Sequence, residues 1–294
     1  MGLKYPIKTT IFLVAFLVFL ASCATAPYTG RNQLMLLSAQ EEMALGLQAE
    51  KEILQKEPLS TDPYYNSLVR KVGIRIARVA NRPDFQWEFH VIDKPKVVNA
   101  FCLPGGKIFV YTGIFKYANT EAELATVIAH EVGHALARHG AERMSMALLA
   151  QMGEQAALMA LNAQTAEAAQ AFDMAYGLAA NLGVLLPFSR TQEYEADHIG
   201  LILMALAGYD PHAALSFWEK MAQQSKGKIQ VEFLSTHPLD EHRIARIKAL
   251  IPQAMKYYRP LQGTSRRINR VAARLSNESI RLGETPSCMR KQRF

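Results

Sequence analysis

The sequence predicts an α+β fold dominated by helices, with one small sheet before the middle of the chain. Three observations carry this. Apolar residues recur at helical spacing through most of the chain, strict apolar–polar alternation is confined to a stretch beginning near residue 85, and a Pro-Gly-Gly turn lies just beyond it. With 294 residues, 50% hydrophobic and 20% charged, the composition is ordinary globular and leaves room for one large domain or two small ones. No internal repeat and no long linker interrupts it.

The elements follow in order. Ser38-Ala39-Gln40-Glu41 is a capping box that opens a helix running towards Glu57. Asp62-Pro63 supplies an N-cap with Pro in the first turn, and Leu68, Val72, Ile76 and Val79 then share one helix face. The period changes at Pro83, after which Phe85, Trp87, Phe89 and Val91 alternate with Gln86, Glu88 and His90, as in a half-buried strand. Strands over Val97–Leu103 and Lys107–Tyr111 flank the turn at Pro104-Gly105-Gly106. Thr120-Glu121-Ala122-Glu123 reads as a second capping box and opens the helix that carries His130-Glu131-Val132-Gly133-His134. A further helix starts at Ser189 or Arg190 and stops at Gly208, another begins at Asp210-Pro211, and the last spans Asp240–Met255. Residues 38–255 thus form the expected folded domain.

The N-terminus is expected to stand apart from it. Lys4 and Lys8 precede an unbroken apolar run, Ile11–Leu20, which closes on Ala21-Ser22-Cys23. The run falls short of the ~20 apolar residues that span a bilayer, and its form is that of a secretory signal peptide, residues 1–22. Cys23 in that position resembles the acylated cysteine of bacterial lipoproteins. That resemblance implies a lipid anchor at Cys23, a linker over 23–37, and a periplasm-facing place in the envelope; Ala24 favours the outer membrane. Removing 1–22 lowers the formal charge from +7 to +5. Most of the excess lies in the tail, residues 256–294, where eight Arg or Lys after Thr264 face only Glu278 and Glu284. Such a tail either touches anionic lipid or is a solvated face. No nucleic-acid module accompanies it. Cys102 and Cys288 either form a disulfide or remain free thiols.

The chemistry is concentrated in two helices. At about 100° per residue, His130 and His134 lie one turn apart on one face and can reach a single ion, with Glu131 on the flank beside a water. That arrangement suits a metallopeptidase: two neutral imidazoles hold Zn2+ and the adjacent carboxylate takes a proton. A third protein ligand is needed, and Glu193-Tyr194-Glu195-Ala196-Asp197-His198 offers it. Glu193 and Asp197 share a face, so Glu193 is the expected ligand and Asp197 the acceptor that orients a histidine N–H. Glu195 points away and is expected to be surface charge. His139 and His198 lie off the metal-facing stripes and are expected at the surface or in packing.

These residues, with Asn99-Ala100-Phe101, Pro104-Gly105-Gly106, Ser189-Arg190-Thr191-Gln192 and Thr236-His237-Pro238, resemble the CAAX-prenyl-protease and HtpX family of zinc metallopeptidases. The resemblance extends from about Gly30 to Ile251 and is strongest to the family's envelope lipoprotein members. It implies a zincin-like fold with a small β-sheet beside the active-site helix, and it agrees with Glu193 as third ligand. It also places the Asn99–Ala100 strand edge next to the zinc, where an extended polypeptide would bind by its main chain. Asn99 either donates to that substrate or bonds its own neighbours. His237, which the resemblance turns towards the metal, has three open roles: polarising the oxyanion, closing the site as a fourth ligand at rest, or shaping its loop. Arg243 anchors that loop or a nearby carboxylate, and is grouped with Asn99 and Ala100 as a groove residue. Met144, Met146, Met152, Met159 and Met174, with Gly153, Gly177 and Gly183, make residues 144–186 a candidate lid, with plain core helices as the alternative.

The expected function is a zinc endopeptidase acting on unfolded or misassembled envelope proteins, with one ion per chain and the oligomeric state left open. The rival is a chaperone-like binding module that uses the same groove with little turnover.

Overall fold

The computed structural model describes residues 23–26, 29–160, 188–225, 232–239 and 242–260. The first element is a small hairpin. Strand β1 (Cys23–Thr25) pairs antiparallel with β2 (Asn32–Leu34), and Gly30 makes the turn at φ +69°, in the left-handed region where Gly costs least. Strands of three residues are too short to show alternation, so nothing in the pattern marks this segment as more than a linker.

Helix α1 (Ala39–Lys56) has the full Ser38–Glu41 capping box. Helix α2 (Pro63–Ala80) is capped by Asp62, which accepts the Tyr64 N–H, and ends on left-handed Asn81. Its buried face is Val69, Val72, Ile76 and Ala80, with Leu68 and Val79 only half-buried at its margin. The expected stripe is therefore rotated by about one position.

The sheet is three-stranded, in the order β3 (Glu88–Ile92), β5 (Lys107–Tyr111), β4 (Ala100–Leu103). β3 runs parallel to β5 and β4 antiparallel to it. Both β3 and β4 start three residues later than expected. Val97 closes a turn onto the Lys94 carbonyl, and the Val98 carbonyl accepts from Phe233 rather than from a strand. After β5 a 3-10 helix (Thr112–Lys116) leads to α3 (Glu121–Leu136). Thr120 caps α3 by accepting the Glu123 N–H, but the expected box does not close. The Glu123 carboxylate takes the Asn119 N–H at 2.9 Å and the Lys220 ammonium at 2.6 Å instead.

Helix α3 lies at the centre of the fold, packed against β4, α2, α5 (Arg190–Leu206) and α6 (His212–Ser225), and nearly every residue from Glu123 to Leu136 is buried. Its contact with α5 is close. A Cβ on Gly133 would meet the Ala196 carbonyl oxygen at 2.8 Å, and one on Gly200 would meet the His130 backbone nitrogen at 3.1 Å. Glycine at these two positions lets the helices approach until side chains from both face one point. Arg138, at φ +56°, turns the chain into α4 (His139–Ala160). The short helix α7 (Glu232–Thr236) and the final α8 (Arg243–Ala254) complete the domain. Trp218, Phe217 and Phe233 fill the core beneath, with Trp218 and Phe233 stacked at 5.7 Å.

Of the candidate lid, residues 144–160 continue α4 and the remainder lies outside the described residues, as do the signal segment 1–22, Cys288 and most of the basic tail. No helix among the described residues is long and apolar enough to cross a membrane.

Candidate metal centre

Four side chains from three elements converge in the core. α3 contributes His130 and His134, α5 contributes Glu193, and the residue after α7 contributes His237; one ligand atom from each lies within 4.8 Å of all the others, and all four residues are buried. His130 Nε2 is 3.0 Å from His134 Nε2 and 3.2 Å from His237 Nδ1. Glu193 Oε1 is 3.0 Å from His237 Nδ1 and 3.3 Å from His134 Nε2. Four donors at the corners of a tetrahedron with metal bonds of 2.0–2.1 Å stand about 3.3 Å apart. The spacing, the donor types and the burial therefore fit a divalent metal. Glu131 is alongside: its Oε1 is buried without a hydrogen bond, with His237 Nε2 3.3 Å away.

His130 is held by a carboxylate. Its Nδ1 lies 3.0 Å from Asp197 Oδ1, so the N–H donates there and Nε2 turns its lone pair to the centre. Arg243 supports the arrangement. It is wholly buried and donates to Asp197 from Nε at 2.8 Å and Nη2 at 2.9 Å, with Nη1 2.6 Å from Glu193 Oε2. Trp218 lies under its guanidinium at 3.7 Å. Burial alone would lower the His130 pKa, but hydrogen bonds to Asp197 and Glu193 outweigh it and raise it to about 9 in the metal-free protein, where a second proton takes the place on Nε2 that a metal would occupy. Burial likewise works against ionised Glu193, yet the charges of Arg243 and His237 keep its pKa well below the ordinary carboxylate value. At Glu131 burial is the larger effect and pushes the pKa up, with His237 and His130 only partly opposing it.

His134 is held by a second histidine. His139 is wholly buried, with Nδ1 2.8 Å from His134 Nδ1 and Nε2 2.9 Å from Glu195 Oε2. Glu195 can only accept, so His139 Nε2–H donates to it, and a neutral His139 then presents a bare Nδ1 that accepts from His134 Nδ1–H; burial favours that neutral form. That fixes the His134 tautomer with its Nε2 lone pair towards the centre. One expectation is thereby corrected and another narrowed. Glu195 is not surface charge but 4% exposed, and His139, expected at the surface or in packing, is buried and hydrogen-bonded to His134. Glu195 does point away from Glu193, as helical geometry requires, but that direction leads under the N-terminal hairpin rather than into solvent. Thr29 donates to Glu195 Oε1, and Arg31 donates to Oε2 at 2.9 Å.

Arg243 binds both the loop, through the His237 and Pro238 carbonyls, and the carboxylates; its complete burial removes it from any groove contact. The Asn99 side chain accepts the Ala100 N–H at 2.9 Å and donates to Glu232 at 3.4 Å, so it bonds its neighbours. Ala100 opens β4, which lies against α3 at the edge of the sheet. His198 is half-buried on α5. Cys102 is a free thiol and is not bonded to any described residue. Sequence reasoning missed Arg31, Glu195 and His139 as site residues. The signal for His139 was its position five residues after His134, where a chain leaving α3 can double back; nothing local marks Arg31.

Comparison with known proteins agrees with this geometry. Peptidase family M48 matches residues 63–251. The chain is 38% identical over 236 residues, 78% of its length, to the mitochondrial metalloendopeptidase OMA1 of Schizosaccharomyces pombe, covering 66% of that protein. It is 30% identical over 243 residues, 77% of its length, to the beta-barrel assembly-enhancing protease of Escherichia coli K12, covering 47% of that protein. Metalloendopeptidase OMA1 of Bos taurus is 31% identical over 261 residues, 83% of this chain and 49% of the bovine one. The chain thus spans about two thirds of the yeast relative and about half of the other two. With a family match over most of the folded domain and a buried His-His-Glu-His group at its centre, the chain belongs to peptidase family M48 and is a metallopeptidase.

Proposed function

We propose that this protein is a zinc endopeptidase of a bacterial-type cell envelope that cuts extended segments of unfolded or misassembled proteins. The observation that carries the reading is the convergence of His130, His134, Glu193 and His237 in one buried cluster beside Glu131. In this reading His130, His134 and Glu193 hold the metal. A bound Zn2+ supplies Lewis-acid polarisation of the scissile carbonyl and lowers the pKa of water at the centre. Glu131 is the proton acceptor and later returns the proton to the leaving amine, a role suited to a carboxylate whose pKa burial has raised. Asp197 and Arg243 keep His130 oriented and Glu193 ionised.

His237 closes the cluster at rest. Its Nδ1 stands 3.0–3.2 Å from Glu193 Oε1 and His130 Nε2, and its Nε2 faces Glu131. These distances favour a fourth ligand over an oxyanion donor, so the loop after α7 must move before substrate engages.

The outer edge of β4 supports main-chain recognition. Asn99 presents its carbonyl to Tyr111 of β5, so alternation turns the backbone groups of Ala100 and Cys102 to the other side. No described strand pairs there, and an added strand would bind without demanding particular side chains. The envelope setting rests on the signal-like segment 1–22 and on lipid attachment at Cys23. The names of the relatives, a bacterial beta-barrel assembly-enhancing protease and mitochondrial metalloendopeptidases, are consistent with quality control in membrane compartments. The resemblance of the His130–His134, Glu193–Asp197 and Thr236–Pro238 motifs to the CAAX-prenyl-protease and HtpX envelope lipoproteins supports the same reading.

The test is casein hydrolysis by the detergent-solubilised full chain. Activity should vanish with chelator and return with Zn2+, and Glu131→Gln should lower it by about 10²–10⁴ with metal content unchanged. Casein bound but uncut by wild type, with Glu131→Gln binding equally well, would favour the chaperone reading instead.

A further inference from the structure

The N-terminal segment, which the sequence presents as a linker, is tied to the metal-bearing corner of the fold at four points. Gln33 Nε2 donates to the Ala137 carbonyl at 2.7 Å, and the Leu36 N–H donates to Ser145 Oγ at 2.9 Å. Arg138 donates to the Leu37 carbonyl at 3.0 Å and to Glu42 at 2.6 Å. Arg31 makes the fourth tie, a fork onto Glu142 with Nη1 and Nη2 at 2.6 and 2.7 Å, while its Nε reaches Glu195. Glu142 also accepts Gln192 at 2.7 Å, from the first turn of α5. Three of these ties hold the corner between α3 and α4. The Arg31 tie alone continues inward, because Glu195 is the acceptor for His139 and His139 is the acceptor for His134.

We propose that Arg31 is a positioning residue for the metal centre: with Thr29 it holds Glu195 against His139, and His139 sets the tautomer and ring angle of His134. The inference rests on the assignment of His134 as a ligand and goes beyond it, since it makes the chain just after Cys23 a working part of the site. Without the guanidinium, Glu195 has no fixed cation and its carboxylate is drawn towards solvent. His139 is then free to turn, and His134 is left to sample the tautomer whose proton sits on the metal-facing nitrogen. Outer partners of metal-bound histidines commonly tune affinity through this kind of constraint.

The experiment compares the full-length protein in detergent with its Arg31→Ala, Arg31→Lys and Gln33→Ala variants. Zn2+ affinity is measured by competition with a chromophoric chelator, the Co2+ derivative is followed by its visible ligand-field bands, and the melting temperature is taken on the metal-free protein. Arg31→Ala should bind Zn2+ about tenfold more weakly and shift the Co2+ bands, with Arg31→Lys intermediate because one point charge replaces the fork. Gln33→Ala cuts a neighbouring tie that reaches Ala137 and, at 3.4 Å, Glu142, but not the Glu195–His139 pair, so it should lower the melting temperature while leaving affinity and bands as in wild type. Wild-type affinity and spectrum in Arg31→Ala would overturn the proposal, as would an equal loss in Gln33→Ala, which would mark a general loosening of the corner. If Arg31→Ala does not fold, Arg31→Lys decides by the same two readings. A wild-type chain that binds neither ion sinks the metal centre itself, and this proposal with it.

Discussion

The two histidines of α3 sit one turn apart and face the same point, yet the chain orients them by opposite means. On the His130 side the support is ionic and comes from the C-terminal half: Asp197 accepts directly, and Arg243, buried over Trp218, neutralises it together with Glu193. On the His134 side a neutral histidine stands between the ligand and its carboxylate, and the cation comes from the N-terminal hairpin. The difference shows in the acid–base behaviour. Nearby carboxylates hold His130 at about 9, whereas burial takes His134 well below the ordinary histidine value, with Glu193 only partly opposing it. One histidine is set by charge and the other by a relay of hydrogen bonds. A ligand set can therefore look symmetric in sequence while its supports differ in depth, in chemistry and in which end of the chain supplies them.

The largest expected effect lies on the ionic side. Arg243→Ala leaves Asp197 and Glu193 buried without their cation, which should cost about 3–5 kcal/mol in the metal-free protein, measured by urea unfolding. Arg31→Ala should cost clearly less, because that guanidinium is 25% exposed and water replaces part of what it supplied. Equal losses would erase the contrast between the two sides.

A smaller effect separates charge from hydrogen bonding at His130. Asp197→Asn keeps an acceptor for Nδ1–H but removes the negative charge, and should weaken Zn2+ binding by about 10–100-fold in chelator competition. Unchanged affinity would mean that geometry alone suffices there, and the two histidines would be supported alike after all.

The smallest effect belongs to an ion pair on neither side. Lys71 and Glu121 are in contact at the surface, 48% and 38% exposed, so Lys71→Ala should change stability by no more than about 1 kcal/mol. A larger loss by urea unfolding would show that burial is not what ranks these pairs.

The parts legible in the sequence are those with local causes. The capping box at Ser38 is legible because it needs only residues three apart, whereas the one expected at Thr120 fails because Glu123 turns to Lys220, and the box at Ser189 appears only in the structure. The bounds of β5, Lys107–Tyr111, are legible because Pro104-Gly105-Gly106 precedes it and its apolar run is continuous. His130, Glu131 and His134 were legible because an i, i+4 spacing fixes a common face whatever surrounds it. The strand starts were less so: Phe85 and Val97 continue the apolar pattern but have no neighbour strand to pair with, and pairing is a tertiary matter.

Glu195 marks the boundary. The sequence by itself determined the direction in which that carboxylate points, because the helix period puts it nearly opposite Glu193. Only the tertiary structure decided what lies in that direction, since Arg31 is 164 positions away and no local pattern records which segment covers a helix face. The same division holds for the centre as a whole. Periodicity fixed which side chains share a face, while the close contact at Gly133 and Gly200 brought two faces together, and the hairpin and α8 supplied the charges that make burying so many polar groups tolerable.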